Sequence, residues 1–113
     1  MISMYMLIIM TKSEIKRIEK KIDTIQKKLS DLGPMRPGNL GKQYRDRKNK
    51  KGVYYQLSYT HKMKSRTEHV RPEHLKLMQK EIDEYKRYKK LVTDLIDLSI
   101  ECSKAKIAYL RGQ

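Results

Sequence analysis

Residues 51–71, KGVYYQLSYTHKMKSRTEHVR, contain a run whose two sets of alternate positions differ in character. Val53, Tyr55, Leu57 and Tyr59 alternate with Tyr54, Gln56, Ser58 and Thr60. A period of two gives a strand one face to bury and one polar face. The spacing predicts that Val53, Tyr55, Leu57 and Tyr59 point to a core and Tyr54 points away from it. His61, Lys62 and Met63 form the turn, although no Gly or Asn supplies the positive φ that tight hairpins use. Lys64–Val70 returns as a second strand rich in Ser, Thr and Val. A two-stranded ribbon is marginal by itself, so one face must lie on a helix, a third strand or a partner.

Helical patterns flank the ribbon. Upstream, Ile15, Ile18, Ile22, Ile25, Leu29 and Leu32 recur three and four residues apart, a heptad seam with charged residues between. Thr11 or Ser13 offers an N-cap oxygen, and Gly33-Pro34 ends the pattern. Residues 33–52, GPMRPGNLGKQYRDRKNKKG, hold four of the five glycines and two of the three prolines and read as a loop, basic in its second half. Downstream, Pro72-Glu73 opens a helix that meets no Pro or Gly before Leu110. Leu75, Met78, Ile82 and Tyr85 make a first seam. Tyr88, Leu91, Leu95, Leu98, Cys102, Ala105 and Tyr109 make a second, widened by Val92, Ile96 and Ile107. At ~1.5 Å per residue this helix is on the order of 55 Å long, too long for the first to cover. The surplus apolar face predicts self-association as a symmetric homodimer with a helical-bundle core.

The expected fold is therefore mainly α with a small β-hairpin, in one domain. An apolar extension at 1–10 precedes a heptad helix at 11–32. A basic loop and hairpin at 33–71 and a long helix at 72–110 follow. Residues 1–10, MISMYMLIIM, are too short to span a bilayer and lack the charged start and small-residue cleavage site of a secretory signal. The reading favoured here is that translation begins at Met10.

The formal net charge of +14 is unevenly spread. Residues 11–32 carry seven basic against four acidic residues, and residues 72–113 nine against seven. Residues 36–71 carry eleven against two, Asp46 and Glu68, a balance of +9. So concentrated a charge attracts a polyanion, nucleic acid before a membrane surface. Cys102 is the single cysteine, which excludes an intrachain disulfide and fits a cytoplasmic protein. It falls on the second seam and reads as a small core residue.

No set of residues suggests an enzyme. His61, His69 and His74 lack the spacing of a zinc site, and the carboxylates Glu81, Asp83, Glu84, Asp94, Asp97 and Glu101 sit among lysines as solvated ion pairs. There is no Gly-rich phosphate loop and no nucleophile beside a base. No cofactor, metal or small-molecule substrate is expected, and no membrane role. The candidate nucleic-acid-binding residues are Arg45, Arg47, Lys48, Lys50 and Lys51 in the loop, Tyr54 and Gln56 on the polar strand face, and Lys62, Lys64 and Arg66 around the hairpin tip. A ribbon fits the DNA major groove, its polar face toward base edges and its lysines toward phosphates.

Three segments, LGPMRPGNLGKQY (32–44), GVYYQLSYTHKMKSRTEHVRPEHL (52–75) and EIDEYKRYKKLVTDLIDLSIE (81–101), carry a resemblance. Together they resemble an uncharacterised family of small bacterial and archaeal proteins often encoded beside, or fused to, transposases. Members read RxGSL followed by QY, a short cysteine cluster, GPYYxLSY, a basic hairpin and NYKRFKxLxxxL. The chain departs from them twice. Tyr44 runs into RDRKNKKG with no cysteine, and Met63 stands where the family turn has Gly. The hairpin is more distantly similar to arm-type DNA-binding domains of tyrosine recombinases. The resemblance implies a DNA-binding accessory of a mobile element. The alternatives are a coiled-coil module that binds a transposase, and RNA binding through the same surface.

Overall fold

The computed structural model describes residues 4–112, with side chains from Lys12 onward. The elements run α1 (Met4–Ser30), β1 (Asn39–Asp46), β2 (Lys51–His61), β3 (Lys64–Val70), a short 3-10 turn (Pro72–His74) and α2 (Leu75–Arg111). Two compact units emerge, one of residues 1–32 and 88–113, the other of residues 33–87. Among the described residues, no helix is long and apolar enough to cross a membrane.

The helical unit pairs α1 with the second part of α2. Ile25 shares a groove with Leu91 and Leu98, Ile22 shares one with Cys102, and Glu19 pairs with Lys106 Nζ at 3.9 Å. Partner numbers fall along α2 as they rise along α1, so the helices run antiparallel. Ile18, Leu91 and Cys102 are buried, and the other seam positions from Ile15 to Leu32 are half-buried. The expected N-cap at Thr11 or Ser13 is not used, because α1 already begins at Met4. Residues 4–10 contain no Gly or Pro to stop a helix propagating through them. The side chains that bear on the proposed extension lie outside the described residues.

The second unit is a three-stranded antiparallel sheet, order β1-β2-β3, against the first turns of α2. β1 occupies part of the segment expected to be loop. Leu40 pairs with Leu57, Lys42 with Tyr55 and Tyr44 with Val53. Its own alternation is weak, since Lys42 and Gly41 interrupt it, and β2 supplies the template that makes it a strand. Leu57, Val70 and Ile82 are the buried core, packed about by Leu40, Tyr55, Tyr59, Leu75 and Met78. Val53 shares their parity yet is 47% exposed, so it overhangs the core instead of joining it.

The segment before β1 is pinned rather than loose. Gly33 N–H donates to Glu84 Oε2 at 3.1 Å, and Arg36 N–H to the Glu81 carbonyl at 3.0 Å. Gly38 follows at φ 124°, where a Cβ would come within 2.6 Å of the Ser58 carbonyl oxygen. Only glycine fits there.

The β2–β3 turn is two residues long, since His61 pairs with Lys64. Lys62 and Met63 both adopt positive φ, 52° and 63°, the signature of a type I′ turn without its usual Asn-Gly. Met63 is fully exposed and contributes no packing to offset that conformation. The substitution Met63→Gly is therefore expected to stabilise the protein by about 1 kcal/mol. Urea denaturation midpoints of the two forms measure it.

Candidate nucleic-acid interface

Directly opposed residues of an antiparallel sheet point to the same side. Tyr54 opposes Gln43, Gln56 opposes Gly41 and His69, Ser58 opposes Asn39 and Thr67, and Thr60 opposes Ser65. These positions form a continuous polar face turned away from Leu57. Tyr54 and His69 meet near its centre, ring centroids 6.3 Å apart and tilted by 30°. Thr60 and Ser65 hydroxyls share a hydrogen bond at 3.0 Å. Ser58, Thr60, Thr67 and His69 are exposed, while Gln43, Tyr54 and Gln56 are half-buried.

The structure sorts the ten candidates into three places. Tyr54 and Gln56 lie on the polar face, and Arg45 has the same parity at the end of β1. Arg47, Lys48 and Lys50 belong to the β1–β2 turn, and Lys51 opens β2. Asp46 holds that turn through Asn49, whose side-chain amide donates to Oδ2 at 3.0 Å. Lys62 sits in the opposite turn. Lys64 and Arg66 have the parity of Tyr59, so they lie on the reverse side of the sheet from Tyr54. β2 is 11 residues long, which puts the two basic turns about 33 Å apart, at opposite ends of one sheet. The cations are two clusters, not one.

None of those eight basic side chains makes an ion pair among the described residues; the pairs formed involve other Lys and Arg residues. The local acids are engaged elsewhere. Glu68 Oε2 accepts from Arg36 Nη2 at 2.9 Å, Glu68 Oε1 accepts from the Tyr59 hydroxyl at 3.1 Å, and the Arg36 guanidinium lies 5.2 Å from the Tyr59 ring centre. Arg36 is therefore a structural cation. Lys42, on the core side of β1, lies 5.6 Å from the Tyr44 ring and borders a groove beside α2.

Gln43, Thr67 and His69 join the polar face although sequence reasoning did not single them out. His69 carried a usable signal, because counting back from the turn sets it opposite Gln56. Gln43 carried none until β1 was known to be a strand. Among the described residues, no group of three or more His, Cys, Asp or Glu side chains could hold a metal ion. The chain matches no family model, no curated protein and no solved structure.

The ion-paired and the unpaired cations separate in stability measurements. Arg36→Ala loses a partly exposed ion pair and a ring contact, and is expected to lower stability by about 1–2 kcal/mol. Lys62→Ala or Arg66→Ala is expected to stay within about 0.5 kcal/mol of the parent. Chemical denaturation of the three variants tests this, and equal losses would contradict the division.

Proposed function

We propose that this protein is a non-enzymatic nucleic-acid-binding protein, an accessory of a mobile element that engages duplex DNA through the sheet of residues 39–70. The observation that carries this reading is a polar face flanked at both ends by cations without acidic partners. Three strands at about 4.8 Å spacing give a backbone roughly 10 Å wide, against a major groove about 12 Å wide. The ends of β2, about 33 Å apart, then reach phosphates nearly one DNA turn from each other. Gln43, Gln56 and Tyr54 supply amide and hydroxyl groups for base edges, while the lysines and arginines position the sheet on the backbone. The transposase association rests on the wording shared over residues 32–101.

A second reading has its own support. The Tyr54–His69 pair lies on an open face, and stacked aromatic rings on a sheet suit the unpaired bases of single-stranded RNA or DNA.

Fluorescence anisotropy titrations on duplex and single-stranded oligonucleotides, repeated across salt concentrations, distinguish the two. For duplex binding, log affinity falls with log salt at about −0.9 per phosphate contacted. Changing Lys62 to Ala is expected to flatten the slope by ~0.9 and to weaken all sequences alike, with a smaller effect from Lys64→Ala or Arg66→Ala on the reverse side of the sheet. Tyr54→Ala costs more on single strands if stacking dominates. Affinity that ignores salt, or survives removal of both clusters, refutes the proposal.

A further inference from the structure

The second part of α2 carries a face that α1 does not cover. Ile96, Ile100, Ile107 and Leu110 are 53%, 50%, 49% and 66% exposed. With Ser103 they recur at spacings of four, three, four and three, a heptad seam distinct from the one that meets α1. At about 100° per residue this stripe lies roughly 140° around the helix from Leu91, Leu98 and Cys102. α1 occupies that other side and borders the stripe only at Ser103 and Ile107, which share a groove with Ile22, so its exposed part can receive another helix.

We propose that the stripe binds the same stripe on a second copy of this chain, with the two α2 helices antiparallel. The seam is self-complementary in that sense only. Laid antiparallel on itself, Ile96 of one copy meets Ile107 of the other, and Ile100 meets Ser103. The small Ser103 leaves room for Ile100 at the two-fold axis. The flanking charges choose the same alignment. Asp97 and Lys104 lie one heptad apart on one flank of the stripe, both exposed and neither in an ion pair among the described residues.

Antiparallel pairing sets Asp97 of each copy against Lys104 of the other, two opposite-charge contacts per dimer. A parallel alignment sets Asp97 against Val92, Lys104 against Ser99 and Arg111 against Lys106, and gains no such contact. Two other lysines near the seam are already compensated within one chain, Lys90 by Asp94 at 3.8 Å and Lys106 by Glu19 at 3.9 Å. None of the nucleic-acid candidate residues takes part, so this inference stands apart from the binding proposal.

Sedimentation equilibrium of the full chain, without nucleic acid, tests the pairing. The parent is expected to be a dimer, and Ile100→Glu a monomer with unchanged helical circular dichroism, since the position is exposed in the single chain. Asp97→Lys turns two attractions into repulsions and is expected to raise the dissociation constant about tenfold or more. The double variant Asp97→Lys with Lys104→Asp restores the pairs in reversed sense, and with them the affinity. A monomeric parent overturns the proposal, as does an Ile100→Glu dimer. Failure of the double variant to recover affinity equally overturns it, because it excludes the antiparallel register.

Discussion

Leu57 is wholly enclosed between the sheet and the first turns of α2, and its position fixes the direction of every other side chain on β2. Side chains alternate strictly along a strand, so a slip of one residue would exchange the two faces. Tyr54, Gln56, Ser58 and Thr60 would then enter the core, and the polar face would vanish. Leu57 is opposed by Leu40 on one side and Glu68 on the other, and Ile82 completes its enclosure from the helix. Register, core and candidate interface are therefore one constraint. With only Leu57, Val70 and Ile82 buried, at about 1.5–3 kcal/mol each, the sheet unit also depends on polar contacts that fasten its edges.

Those polar contacts explain how so basic a segment folds. Between Arg36 and Arg71 there are two acids, and each is bound within the unit. Glu68 accepts from both Arg36 and Tyr59, and Asp46 accepts from Asn49. Carboxylates near the hairpin thus neutralise only one arginine, the one that lies against the core. The eight other cations from Arg45 to Arg66 extend from the two ends of the sheet, where repulsion is shared with solvent and salt. A polyanion laid along the sheet would relieve that repulsion at both ends together.

Much of this was legible in the chain. The period-two pattern of 53–60 gave the two faces of β2, and the three-four spacing of apolar residues located both helices and their seams. What escaped has physical causes. β1 was hidden because Lys42 and Gly41 fall where a strand usually shows apolar or β-branched residues, and pairing with β2 overrode that composition. The start of α1 was misplaced because a polar residue able to cap, Thr11, need not cap when the preceding residues are themselves able to be helical. The distance between the loop cations and the hairpin-tip cations has a topological reason. Turns that are successive in sequence lie at opposite ends of an antiparallel sheet, so closeness along the chain became a separation of about 33 Å.

The Lys62-Met63 turn shows the same separation of folding from function at the scale of two residues. Each holds a left-handed conformation that costs a side-chain-bearing residue about 1–2 kcal/mol and that Gly would adopt freely. The sheet enforces it, because the register from Tyr55–Val70 to His61–Lys64 leaves two residues to close the hairpin. Neither side chain repays the strain through contact with the protein, since both are exposed and Met63 entirely so. The strain is thus held by the register of the two strands alone. At Lys62 this leaves an ammonium at the apex of the hairpin, beside Lys64 and turned to solvent.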